Sequence, residues 1–302
     1  MSVEFVPADP NNGASMSSFR SFLFTPANHV RHAEKVFTIG ADVAILDLED
    51  AVAVNEKKEA RNKAAEALQR PRCCQAYVRV NAMDTEFCLD DLEGVVGPAL
   101  DGVMLPKVES AASLLAADWI LTQLERRAGI TIGSIDLLPI IETGAGLMAL
   151  EEIAKCGSRI RRLAFGAGDF TFDMNMIWTA DERELDYARS RLVALSRATG
   201  LEAPIDTIWV DIPNLDGLRA SAETALQMGF QGKLCIHPTQ VPVVNDAFTP
   251  SDEAVAYARK VVDAFTEAEA AGSAALLVDG KFIDYPFVYR AQRTLKMVKD
   301  MA

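Results

Sequence analysis

Residues 137–146, LLPIIETGAG, and residues 162–173, RLAFGAGDFTFD, decide how this chain reads. Each is a short apolar run that ends in a carboxylate beside glycines, Glu142 in the first and Asp169 in the second. A buried strand that delivers a carboxylate where the backbone turns is costly unless the charge is partnered. Left alone, the group loses several kcal/mol or takes up a proton. Two such groups from neighbouring strand ends make a seat for a divalent cation. Hard oxygen donors without convergent His or Cys favour Mg²⁺, or Mn²⁺, over Zn²⁺.

Working outward, the same rhythm repeats: an apolar run, then polar or Gly/Pro residues, then a helical stretch. The runs are SFLFTP (21–26), VAILDLED (43–50), QAYVRVN (75–81), GVMLPKVE (102–109), DLLPIIET (136–143), RLAFGAGD (162–169), IDTIWVDI (205–212) and GKLCIHP (232–238). They are near-continuous rather than alternating, as expected of parallel strands covered on both faces. Helical patterns lie between them at 56–70, 182–200 and 215–230, stopped by Pro71, Gly200 and Gly229. Eight such units predict a (β/α)8 TIM barrel, with a doubly wound open sheet as the alternative. Residues 1–18 read as a loose tail and 19–250 as the barrel. Residues 251–302 read as a C-terminal helical extension or lid, with a long helix over 251–272 capped by Ser251 and a final helix over 287–301.

Composition narrows the function. A formal charge of −13 argues against nucleic acid and anionic membrane as partners. Five cysteines without a CxxC pair suggest neither a disulfide framework nor a thiolate zinc site. The first residues carry no basic start and no apolar core of a secretory signal, and no run approaches bilayer length, so a cytoplasmic protein is expected.

A barrel builds its chemistry at the carboxyl ends of its strands. Those ends carry Asp47, Glu49 and Asp50; Arg79 and Asn81; Lys107 and Glu109; Glu142; Asp169; Asp211; and His237. Scattered loop polarity explains isolated charges, but less well a charge inside an apolar run, such as Arg79 in YVRVN or Asp47 in AILDLED. The planar fork of Arg79 suits a carboxylate, either the substrate's or one of the acidic trio. A lone His237 before proline is more often structural than a base, and Cys235 reads as core packing. No GxxxxGK[ST] or GxGxxG follows a strand. Arg31 and Lys35, four apart on the first helix, offer a small basic patch instead.

The phrases RSFLFTPAN, AILDLEDAV, YVRVN, VMLPKVES, LPIIETGAGL, FGAGDF and GFQGKLCIHPTQV, in this order, resemble the HpcH/HpaI aldolase/citrate lyase β-subunit-like family of CoA-ester lyases. The resemblance covers about residues 19–300. It implies a Mg²⁺-dependent lyase of malyl-CoA or citramalyl-CoA type, giving an α-keto acid (glyoxylate or pyruvate) and an acyl-CoA, in a homotrimer or hexamer. A citrate lyase β-subunit, a malyl-CoA thioesterase and a non-catalytic barrel subunit are the alternatives. The resemblance places the metal on Glu142 and Asp169. It gives substrate carboxylate binding and enolate stabilisation to Arg79, and coenzyme A contacts to Phe24, Arg31, Lys35 and the backbone near Cys235 and Ile236. From DGKFIDYP it implies a catalytic Asp284, with Asp279 as the competing choice.

Overall fold

The computed structural model describes residues 19–301, so the tail expected over 1–18 lies outside the described residues. The chain forms two compact units, one spanning Phe19–Asp246 and the other the residues from Ala247 onward.

The first unit is a closed barrel of eight parallel strands in sequence order. In chain order its elements are β1 (Ser21–Pro26), α1 (Val30–Lys35), β2 (Val43–Asp47), α2 (Lys57–Ala67), β3 (Gln75–Arg79), α3 (Cys88–Val95), β4 (Gly102–Leu105) and α4 (Ala111–Ala128). There follow β5 (Asp136–Ile141), α5 (Gly144–Met148), α6 (Leu150–Lys155), β6 (Ala164–Phe165), α7 (Ala167–Asp173), α8 (Asp186–Thr199), β7 (Ile205–Asp206), α9 (Leu215–Met228), β8 (Gly232–Cys235) and α10 (Gln240–Ala247). Closure runs through β1 and β8, with Phe22 beside Leu234 and Leu23 beside Cys235.

Strand alternation explains the interior. Phe22, Val43, Ile45, Tyr77, Met104, Leu138, Ile140, Ala164, Ile205 and Leu234 form the packed core of the barrel. Counting two residues further along β1, β2, β3 and β5 from Phe22, Ile45, Tyr77 and Ile140 reaches Phe24, Asp47, Arg79 and Glu142. Period-2 geometry therefore stacks these four as the next inward layer above the apolar one.

Two buried ionic clusters brace the unit away from that layer. Tyr77 donates to Asp136 at 2.6 Å, and Arg162 bridges Asp136 and Glu202 at 2.8 and 2.7 Å. Asp206 meets Lys233 at 2.5 Å and Arg189 at 2.8 Å, and Arg189 continues to Glu182.

The expected strands over 162–169 and 205–212 are shorter than their apolar runs. The glycines of FGAGD let α7 begin at Ala167, so Asp169 sits in a first helical turn rather than at a strand end. Asp211 falls in an exposed loop past β7.

The second unit holds α11 (Asp252–Ala270), a hairpin of β9 (Leu276–Val278) and β10 (Lys281–Ile283), and α12 (Tyr285–Met301). Ser251 caps α11 by accepting from Ala254 N–H. Its core is Ala258, Val261, Phe265, Val278, Ile283, Val288 and Ala291. Asp279 and Gly280, both with positive φ, make the hairpin turn.

Candidate active site

Register brings the first pair together. Asp47 ends β2 directly beside Arg79 at the end of β3. Their side chains point into the same layer, and Asp47 accepts from Nε at 2.7 Å and from Nη2 at 2.6 Å, a two-point clamp. Nη1 adds Glu49 Oε2 at 2.9 Å, an ion pair without hydrogen-bond alignment, and Asp50 at 3.4 Å. The guanidinium lies over the Phe24 ring, 4.8 Å from its centroid. Burial works against this charge. Asp47, then Glu49 and Asp50, outweigh it and raise the Arg79 pKa, so the group stays a cation.

The acidic loop after β2 is itself held from below. Asp47 Oδ1 accepts the Glu49 N–H at 2.9 Å. Lys57 at the start of α2 donates to the Leu48 and Glu49 carbonyls at 2.8 and 2.7 Å. Asn81 adds a third bond to Leu48 O at 3.1 Å, and Asp91 fixes Asn81 at 2.6 Å.

Glu142, 4% exposed, lines the same cleft as Arg79. Its Oε1 accepts the Lys107 N–H at 2.8 Å. Burial, with Glu49 and Asp169 adding like charge, pushes its carboxyl up to about 8, against the opposing pull of Arg79. A side chain at Gly166 would drive its Cβ into Glu142 Oε2 and to 2.7 Å from Glu142 Cβ, so the glycine is what leaves room for this glutamate. Asp169 projects from the first turn of α7, and Thr207 fixes the start of that helix by accepting the Ala167 N–H at 2.8 Å.

Lys107 ties the two sides together. It is a non-glycine residue at φ 51°, and its ammonium lies 2.5 Å from Glu49, 3.6 Å from Asp50 and 3.5 Å from Asp169. Its part in the site was not legible in the sequence beyond a lysine following Pro106 at a strand end.

Several of these groups line one cleft of about 410 Å³. Its polar side is Asp47, Asp50, Arg79, Glu142, Asp169 and Thr207, and its apolar side includes Phe24, Ile140, Ile208, Leu234 and Ile236. Chemically it offers a fixed cation beside two open-sided carboxylates. The donor set fits a magnesium ion, which takes one or two carboxylates and keeps other positions for water or substrate. Glu142 supports the fit, being a buried carboxyl with a raised pKa that a nearby divalent charge would hold ionised.

The structure thus brings Phe24, Arg79, Glu142, Asp169 and Ile236 to one cleft. Phe24 supports the Arg79 guanidinium. Cys235 is fully buried, its thiol pushed up to about 12 by burial. The Ile236 and His237 N–H groups are taken by Gln240 Oε1 at 2.9 and 3.3 Å, and the His237 ring turns to Thr239. Arg31 and Lys35 lie exposed on α1. Asp284 belongs to the second unit, where its carbonyl begins α12 and its buried Oδ1 has no hydrogen-bond partner among the described residues. Asp279 is paired with Lys260.

Residues 20–238 match the model of the family described as HpcH/HpaI aldolase/citrate lyase. The citrate lyase subunit beta of Haemophilus influenzae is 35% identical over 282 residues, covering 93% of this chain and 97% of that protein. The L-malyl-CoA/beta-methylmalyl-CoA lyase of Cereibacter sphaeroides is 35% identical, covering 95% of this chain and 94% of that protein. Among solved structures, the protein CitE of Mycobacterium tuberculosis, in complex with magnesium, acetoacetate and coenzyme A, superimposes with a TM-score of 0.76. That match is 31% identical and covers 94% of this chain and 99% of that one.

Proposed function

The chain belongs to the HpcH/HpaI aldolase/citrate lyase family, and we propose that it is a magnesium-dependent carbon–carbon lyase of a β-hydroxyacyl-CoA such as malyl-CoA or citramalyl-CoA. The products are an α-keto acid, glyoxylate or pyruvate, and an acyl-CoA. The observation that carries this reading is what one cleft holds together: Arg79 clamped by Asp47, the buried carboxyl of Glu142, and Asp169.

Glu142 and Asp169 would hold Mg²⁺. When bound, the ion supplies a positive charge that polarises the keto-acid oxygens and stabilises the developing enolate. Arg79 gives one Nη2 hydrogen to Asp47 and keeps a second, which meets the substrate carboxylate. The clamp on Arg79 is formed before substrate arrives, so little reorganisation is left for the reaction. Ile140, Ile208 and Leu234 line the other wall and keep water from the reacting carbon.

Asp284 is assigned the proton transfer at the α-carbon of the acyl-CoA. Its unpartnered Oδ1 supports it over Asp279, whose carboxylate is committed to Lys260. Residues 251–302 act as the lid that carries Asp284 across a subunit interface, and Phe24, Arg31, Lys35 and the backbone near Cys235 and Ile236 form the coenzyme A side of the site. The working assembly is a homotrimer or hexamer in the cytoplasm.

A citrate lyase β-subunit is the second reading, because relatives of that name are as similar as the malyl-CoA lyases. One assay separates them. Malyl-CoA, citramalyl-CoA and citryl-CoA are incubated with the protein and Mg²⁺, and keto acid and free CoA are followed separately. Keto acid with acyl-CoA from one ester establishes the lyase and names its substrate. Free CoA without keto acid makes the protein a thioesterase. No reaction on any of them, with turnover on a citryl-carrier thioester, makes it the β-subunit. Asp284→Asn should lower kcat by about 10²–10⁴; unchanged turnover sinks that assignment.

A further inference from the structure

Lys107 touches both carboxylates assigned to the metal, each by a different part of itself. Its left-handed backbone turns the N–H onto Glu142 Oε1 at 2.8 Å. Its ammonium meanwhile reaches Asp169 Oδ2 at 3.5 Å, Asp50 Oδ1 at 3.6 Å and Glu49 Oε1 at 2.5 Å. A β-carbon is disfavoured at this φ, so a lysine here is held in place by its surroundings. Among the described residues that line the cleft the one cation is Arg79, already committed to Asp47, Glu49 and Asp50.

We propose that Lys107 is the internal counter-cation of this carboxylate cluster and sets its metal affinity, its ammonium competing with a divalent ion for Asp169. The inference rests on the assignment of Glu142 and Asp169 as the metal ligands. Two cations a few ångströms apart repel strongly in a partly buried site, so the ammonium and the ion oppose each other there. Removing the ammonium frees Asp169 and leaves Glu49 and Asp50 with one positive partner fewer. Both changes deepen the negative potential of the seat. Were Lys107 only an anchor for Glu49, its loss would loosen the acidic loop and leave metal binding the same or weaker.

The test is titration of Mn²⁺ into the full chain without substrate, with free Mn²⁺ read by its electron paramagnetic resonance signal. Lys107→Met should bind Mn²⁺ about tenfold more tightly than the native chain. Lys107→Arg, which keeps the charge, should restore native affinity, and Asp169→Asn should weaken binding at least as far in the opposite direction. A gain of affinity is not produced by misfolding. Equal or weaker binding by Lys107→Met, with binding by the native chain and its loss in Asp169→Asn, overturns the inference and leaves the metal assignment standing. Binding indifferent to both Glu142→Gln and Asp169→Asn, or absent from every variant, overturns the assignment and the inference with it.

Discussion

Single atoms decide how Arg79 and Glu142 work. Arg79 uses Nε and Nη2 together on Asp47, stacks on Phe24, and lines the cleft. Lysine carries the same charge without the fork, so Arg79→Lys should keep the fold and lower kcat/KM by about 10²–10³. Steady-state kinetics beside a circular dichroism melt would check this, and a loss explained by unfolding would sink it. Gly166 is the complementary case. Alanine there would press a methyl group onto Glu142 Oε2 and to 2.7 Å from Glu142 Cβ, so rotating the carboxylate is not enough and the backbone must shift. Gly166→Ala should weaken Mn²⁺ binding by roughly tenfold or more and cost about 1–3 kcal/mol of stability, with a native circular dichroism spectrum. Unchanged Mn²⁺ affinity would show that Glu142 does not hold the ion.

At the scale of elements, the loop after β2 behaves as one piece because three donors pin its carbonyl side. Lys57 supplies two of them from α2 and is buried, with its pKa lowered by that burial against the pull of Asp47 and Glu49. Lys57→Met would leave the Glu49 carbonyl without that donor. Urea unfolding should show a loss of about 1–3 kcal/mol, and KM should rise as Arg79 loses its fixed partners. A stability change without a change in KM would mean that the loop does not need this anchor. The eight apolar runs and the charges closing them were legible in the sequence, because strand burial and strand-end polarity are both local patterns. The roles of Lys57, Lys107 and Gln240 were not. They depend on which carbonyl, carboxylate or N–H a distant turn brings within reach. For Lys107 the role also depends on a positive φ that no composition announces. The hairpin β9–β10 was hidden for a related reason: its strands have three residues each, too few to show a period.

On the scale of the whole barrel, acidic residues outnumber basic ones, yet cations are placed where burial is deepest. Lys233 and Asp206 are both fully buried, and Arg189 is almost so. Burial alone would raise the Asp206 pKa, but Lys233 and Arg189 overcome it and hold the carboxylate below its ordinary value. A carboxyl group whose folded pKa is depressed contributes stability above its unfolded pKa, about 3.9. That contribution fades as pH falls through the lower folded value, because the unfolded chain takes up the proton first. Asp206→Asn would leave Lys233 buried beside a neutral amide, costing about 3–5 kcal/mol at neutral pH. Denaturant unfolding of native and variant proteins should therefore show a wide gap at pH 7 that narrows only once the pH drops below about 4. A gap that stays constant on acidification would place the stabilisation in packing rather than in the charge on Asp206. A gap that closes already near pH 6 would mean that the carboxylate is held less tightly than its contacts with Lys233 and Arg189 require.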